Sequence, residues 1–198
     1  MGVMTRTAAD YTWFEDDFPD LAEAYCFTLA RGPSPAELLS RLDARPAPSL
    51  PGIAAVVEAP AQQRRQLVAM TTVGAWTLLI EPNGYLGVTE DRALPASTGA
   101  SWVSHFSNVN GVGTFLWAED QDLRLCFDPM FPTDRWGRTP DELLDTMRRI
   151  GFHLDDEDPD PDLSAPAAFA LAEHLTGIAI TPTLLHTTTF TCATVETH

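Results

Sequence analysis

The sequence predicts an α+β domain: a twisted, mainly antiparallel sheet of about six strands with three to four helices packed on it. Three observations predict it. Apolar, β-prone runs recur along the chain with Asn/Gly turn signals beside them, notably Asn83-Gly84 and Asn108-Val109-Asn110-Gly111. Pro-containing capping boxes mark helix starts. No strand-helix-strand rhythm runs through the chain, which disfavours a parallel sheet.

Taken in order, residues 1–10 are polar and read as a loose start. Tyr11-Thr12-Trp13-Phe14 then sets three aromatics before the acidic turn Glu15-Asp16-Asp17. Leu21 to Ala30 fits helix at its Ala/Glu start and strand from about Tyr25. Ser34-Pro35-Ala36-Glu37 is a capping box with Pro at the first helical position, so a helix runs to about Leu42. The three prolines between Arg45 and Pro51 predict a loop, and β-branched Ile53 to Glu58 a strand. A polar loop or turn follows over Pro60 to Gln66, then a strand over Leu67 to Val73.

Trp76 to Ile80 is the strongest apolar run. Asn83-Gly84 after it predicts a hairpin that returns through Tyr85-Leu86. Glu90 to Ala96 reads as a short helix. Trp102 to Val109, Thr114 to Ala118 and Leu123 to Phe127 read as strands. Thr139-Pro140-Asp141-Glu142 repeats the capping-box signature, and Leu143, Leu144, Met147 and Ile150 line one helical face behind it. Asp155 to Asp162 is an acidic, proline-punctuated linker. Pro166 to Leu175 is a helix, and Ile178 to Ile180 and Leu184 to Val195 complete the β structure. Residues 11–198 thus form a single domain. The pairing of Cys26-Phe27 and Cys126-Phe127 with similar helix starts is compatible with an old duplication into halves 11–99 and 100–198.

Composition bounds the function. The net charge is −16, with 28 acidic residues against 12 basic ones, and every basic residue is Arg. That balance argues against direct nucleic-acid binding, which needs clustered positive charge. It permits docking onto a basic protein partner. No apolar run reaches the length of a membrane span, and the start lacks a secretory signal's basic and apolar regions. Cys26, Cys126 and Cys192 are odd in number and far apart, which fits reduced core residues and a cytoplasmic setting.

Motifs for chemistry are sparse. The five histidines show no metal-ligand spacing, and the acidic run at 155–162 lacks the Gly and terminal Glu of a calcium loop. Neither a nucleophile elbow nor a phosphate-binding Gly loop occurs, and a chain without Lys cannot carry a Walker Lys. The expectation is no cofactor and no metal. The scattered candidates for an enzyme are Glu81, His105 and Glu119. For partner binding they are Trp13, Phe14, Trp102, Arg135, Trp136 and Arg138, because aromatic and Arg side chains anchor interfaces.

Four patterns together resemble a known family. They are G-x-W-T-L-L-I-E-P-N-G-Y-x-G at Gly74 to Gly87, S-x-F-x-N-V-N-x-V at Ser104 to Val112, R-W-G-x-x-P-D-E-L-L at Arg135 to Leu144, and A-L-A-E-H-L-T-G-I at Ala170 to Ile178. The chain resembles an uncharacterised domain family widespread in actinobacteria, over roughly Tyr11 to Leu184. That resemblance implies a bacterial cytoplasmic origin and one integrated domain, and carries over no catalytic residue. A looser likeness, in size, charge and an aromatic-bearing sheet, is to small acidic immunity proteins that neutralise toxins. The expected function is a non-catalytic protein-interaction module acting through an acidic, aromatic-rimmed surface, with toxin neutralisation or regulatory adaptation as roles that fit. The alternative is a small enzyme or small-molecule binder with a site assembled from scattered polar residues. The oligomeric state is not encoded in any motif.

Overall fold

The computed structural model describes residues 6–60, 64–154 and 160–196. Nine strands form one sheet: β1 (Ala24–Arg31), β2 (Arg45–Pro51), β3 (Arg65–Val73), β4 (Trp76–Pro82), β5 (Ser101–Asn108), β6 (Gly113–Glu119), β7 (Asp122–Asp128), β8 (Phe131–Trp136) and β9 (Thr189–Glu196). Their order is β2-β9-β3-β4-β1-β5-β6-β7-β8, and every pairing is antiparallel. The class is α+β, but the expected six strands and three to four helices are corrected, among the described residues, to nine strands and eight α-helices. The helices are α1 (Trp13–Asp17), α2 (Pro19–Ala22), α3 (Pro35–Arg41), α4 (Gly52–Val57), α5 (Glu90–Ala96), α6 (Leu144–Ile150), α7 (Pro161–Thr176) and α8 (Pro182–Thr187).

Both faces of the sheet are buried. One core holds Phe14, Phe27, Ile80, Phe127 and Phe169 beneath α7. The other holds Leu38 of α3, Ala93 and Ala96 of α5, Met70, Leu79 and Trp102. Six consecutive residues of β1 and six of β4 are therefore buried. A strand covered on both sides loses polar alternation and reads as a continuous apolar run, which is why Leu21 to Ala30 carries no clear period.

The edges explain two corrections. The stretch Arg45 to Pro51, expected as a loop, is edge strand β2, where prolines need not donate to a second neighbour. Opposite edge β8 carries Pro132 and pairs irregularly with β7. Both edges are thereby poor templates for further strands.

Other corrections have local causes. Ile53 to Glu58, expected as a strand, is helix α4, because Ile53 and Val56 bury one face at i, i+3 spacing. Part of Leu184 to Val195, also expected as strand, is helix α8, with the Thr181 hydroxyl accepting from the Leu184 N–H and Pro182 next in line. Ile178 to Ile180 is irregular. The box at Ser34 and Glu37 forms as expected. The one at Thr139 does not start a helix. The Arg124 guanidinium takes the Thr139 hydroxyl and the Glu142 carboxylate, and α6 begins only at Leu144. Residues 155–159 of the expected acidic linker, 1–5 of the expected loose start and 61–63 of the polar loop lie outside the described residues.

The largest difference is at Asn83-Gly84. No strand returns there. The tight hairpin turn is Gly74-Ala75, joining β3 to β4 with Val73 opposite Trp76 and Gly74 at φ +60°. After β4 the chain instead curls into a 3-10 turn over Leu86–Val88 and lies on the sheet. Gly87 makes that possible: a Cβ there would collide with the Thr28 and Ser104 hydroxyls. The variant G87A should lose about 1–3 kcal/mol of unfolding free energy from overpacking, read by urea denaturation. Wild-type stability in that variant would refute the close approach.

Candidate functional site

The enzyme candidates do not converge. Glu81 ends β4 on the α3/α5 face, fully buried. Its carboxylate accepts from the backbone N–H groups of Leu86 (2.9 Å) and Gly87 (2.8 Å), and more weakly from the Gln66 amide (3.4 Å). Beside it Cys26, Thr28 and Ser104 form a buried chain of contacts, at 3.3 Å from Cys26 Sγ to Ser104 Oγ and 2.8 Å between the hydroxyls. His105 lies on the opposite face, stacked on Phe27 with ring centroids 5.7 Å apart. Glu119 pairs with Ser101, four residues along β5 from His105 and so roughly 13 Å away by strand rise. Its carboxylate is taken by the Ser101 hydroxyl and the Trp117 indole N–H.

Electrostatics reinforce this. Burial pushes the Glu81 carboxyl up to about 7 from its ordinary 4.5, and the two backbone donors hold it from rising further. Burial drives the His105 imidazole down to about 3, so it stays neutral in the core. All three cysteines are free and buried, with thiols shifted upward by desolvation. Glu81 reads as a structural clasp that ties the 86–88 turn to the sheet.

The partner-binding candidates separate in the same way. Trp102 is inside the second core, donating its indole N–H to the Gly87 carbonyl at 2.9 Å, and Phe14 is in the first. These two cannot serve as surface anchors. Trp13 is half-buried against Phe14 and Phe18. Trp136 is 48% exposed. Arg135 and Arg138, on either side of it, are engaged by Asp141 and Asp122.

The concave surface lies elsewhere. Antiparallel pairing brings the start of β1, the ends of β4, β5 and β7 and the start of β6 to one rim. Three adjoining hollows of about 380, 430 and 120 Å³ run along it. The first two share Glu23, Phe106, Asn108 and Val109, and the last two share Asp20 and Val57. Six carboxylates line this trough: Glu15, Asp17, Asp20, Glu23, Glu58 and Asp128. None of the chain's Arg residues lines it, and none of the six joins an ion pair among the described residues. Tyr85 and Val109, 60% and 74% exposed, supply apolar surface. Glu15-Asp16-Asp17, expected as an acidic turn and found in helix α1, was the visible trace of this site in sequence; nothing in the pattern linked it to Asp128. No group of three or more His, Cys, Asp or Glu among the described residues is arranged to hold a metal ion.

Glu81 and His105 oppose each other in pH dependence. Glu81 binds its proton more tightly folded than unfolded, so its contribution to stability falls as pH rises from about 4.5 to about 7. His105 binds its proton less tightly folded, so its contribution rises between about 3 and 6.5. Relative to wild type, E81Q should therefore gain roughly 3 kcal/mol between pH 4.5 and 7.5 in chemical denaturation. Parallel pH profiles for the two proteins would show that Glu81 is not protonated in the fold.

No described helix is long and apolar enough to cross a membrane. No curated protein and no solved structure matches the chain. One family model does, over residues 4–198, so nearly the whole length is family domain. The chain belongs to DUF6461, a family of unknown function.

Proposed function

We propose that the protein is a non-catalytic binding module that docks a basic segment of another protein in the acidic trough. The observation that carries this reading is the segregation of charge: six carboxylates without ion-pair partners face one concavity from which Arg is missing. Several carboxylates elsewhere are matched to Arg, as in Arg124–Glu142 and Arg135–Asp141. Like charges gathered in a concavity focus a negative potential that speeds encounter with a cation. The exposed Tyr85 and Val109 add the apolar contact that affinity needs. A toxin-neutralising or regulatory adaptor role in an actinobacterial cytoplasm fits this mode of action, and three free buried cysteines suit a reducing compartment. The separation of Glu81, His105 and Glu119 favours binding over catalysis.

A blocked dodecapeptide with Lys at every third position and Ala between provides the test, by fluorescence anisotropy at low and moderate salt. Binding should weaken with salt. The triple variant E15Q/D20N/E23Q should bind about tenfold more weakly, while D43N/D91N/D134N, three exposed carboxylates outside the trough, should bind within about twofold of wild type. Equal losses in both variants would mean that net charge alone is at work, and the trough would not be the docking site.

A further inference from the structure

Within the trough, the hollow of about 380 Å³ has one wall unlike the others. Tyr25 lines it while being only 1% exposed. Four rings enclose its own: Phe14, Phe27, Phe169 and His105, with centroids 4.9 to 5.8 Å away. What stays free is the hydroxyl, which is buried and makes no hydrogen bond. A buried hydroxyl without a partner is costly and uncommon, and most such groups are satisfied by something. Around the same hollow stand Glu15, Glu23 and Asp128. The Glu15 charge is close enough to the phenol to reinforce the upward shift that burial imposes on it.

We propose that this hollow is a lysine-recognition pocket, in which the ammonium of a partner's Lys side chain donates to the Tyr25 hydroxyl oxygen and to the surrounding carboxylates. The inference rests on the reading that the trough docks a basic segment, and it names the anchor of that segment. Three features select an ammonium. The carboxylates only accept, so they are matched by an occupant rich in donors. The acceptors come from separate elements, with Glu15 on α1, Glu23 between α2 and β1, Tyr25 on β1 and Asp128 at the end of β7. A compact ammonium with three rotatable donors suits such dispersed acceptors, whereas a planar guanidinium is matched to the two oxygens of one carboxylate. Asp128 already accepts from the Met130 N–H and keeps capacity for another donor. Finally, Ala168 of α7 and Met130 give the hollow an apolar side along which a four-carbon stem can lie.

The test compares the Lys dodecapeptide with an otherwise identical Arg peptide, on wild type, Y25F and E15Q. Y25F removes an unpartnered hydroxyl and should unfold at no lower denaturant concentration than wild type; E15Q alters an exposed side chain, so either variant keeps the test usable. Wild type should bind the Lys peptide about tenfold more tightly than the Arg peptide. Y25F and E15Q should each remove most of that difference and leave Arg-peptide binding within about twofold. Salt-sensitive binding of both peptides with equal affinity, indifferent to Y25F and E15Q, would overturn the lysine pocket while leaving the trough as docking site. Absence of binding by either peptide would overturn both.

Discussion

One buried carboxyl fixes the path of the chain through the middle of the molecule. At the end of β4 the backbone could turn back and pair as a hairpin. Instead the Glu81 carboxylate gathers the N–H groups of Leu86 and Gly87, and the Asn83 N–H is taken by the Ala24 carbonyl at 2.7 Å. With those donors committed, residues 85–88 cannot offer a ladder to β4. They lie over Thr28 and Ser104, where Gly87 is the residue small enough to fit and its carbonyl receives the Trp102 indole. The edge of β4 thus freed is occupied by β1, and β1 carries β5 to β8 with it. A carboxyl in such a place is stabilising only because its acceptor capacity is used; unpaired, it would cost several kcal/mol.

That arrangement explains what the sequence could and could not reveal. Capping chemistry is local, so Ser34-Pro35-Ala36-Glu37 and the strands flanking Asn108 to Gly111 are readable. Asn83-Gly84 carries an equally good local turn signal, yet a contact five residues long in sequence overrides it. The box at Thr139 fails for a similar reason, since Arg124, on a strand, outcompetes the helix for its side chains. Strand β2 hides behind prolines that only an edge position tolerates, and edge status is a property of the whole sheet. Burial on both faces removes the period-two pattern from β1 and β4, so the strand from about Tyr25 and the run Trp76 to Ile80 are legible only through their β-prone composition.

The trough was less legible than the fold. Its carboxylates are spread from Glu15 to Asp128, and their meeting depends on strand order and register. Aromatic residues misled in the opposite direction. Trp102 and Phe14 look like anchors by type, but large side chains in a sheet with two cores are more valuable inside it. Tyr25 shows the same principle with a remainder: its ring packs in the core and its buried hydroxyl is left without a partner.

Gathering charge without partners has a thermodynamic cost that bears on why the trough sits at the rim. Repulsion among like carboxylates is weak where water screens them and severe where it does not. Five of the six carboxylates are exposed, and Asp128, half-buried, has its carboxyl raised by desolvation despite accepting a backbone N–H. The rim is therefore a compromise: concave enough to focus the field, wet enough to keep the charges apart. A cation entering it would replace water at several acceptors at once and relieve that repulsion, so the unbound state is the strained one. On the proposed docking role, self-repulsion in the free protein and affinity for a basic partner are two expressions of the same charge arrangement, and the fold holds that arrangement in place through elements, from Glu81 to Phe169, that lie outside the trough itself.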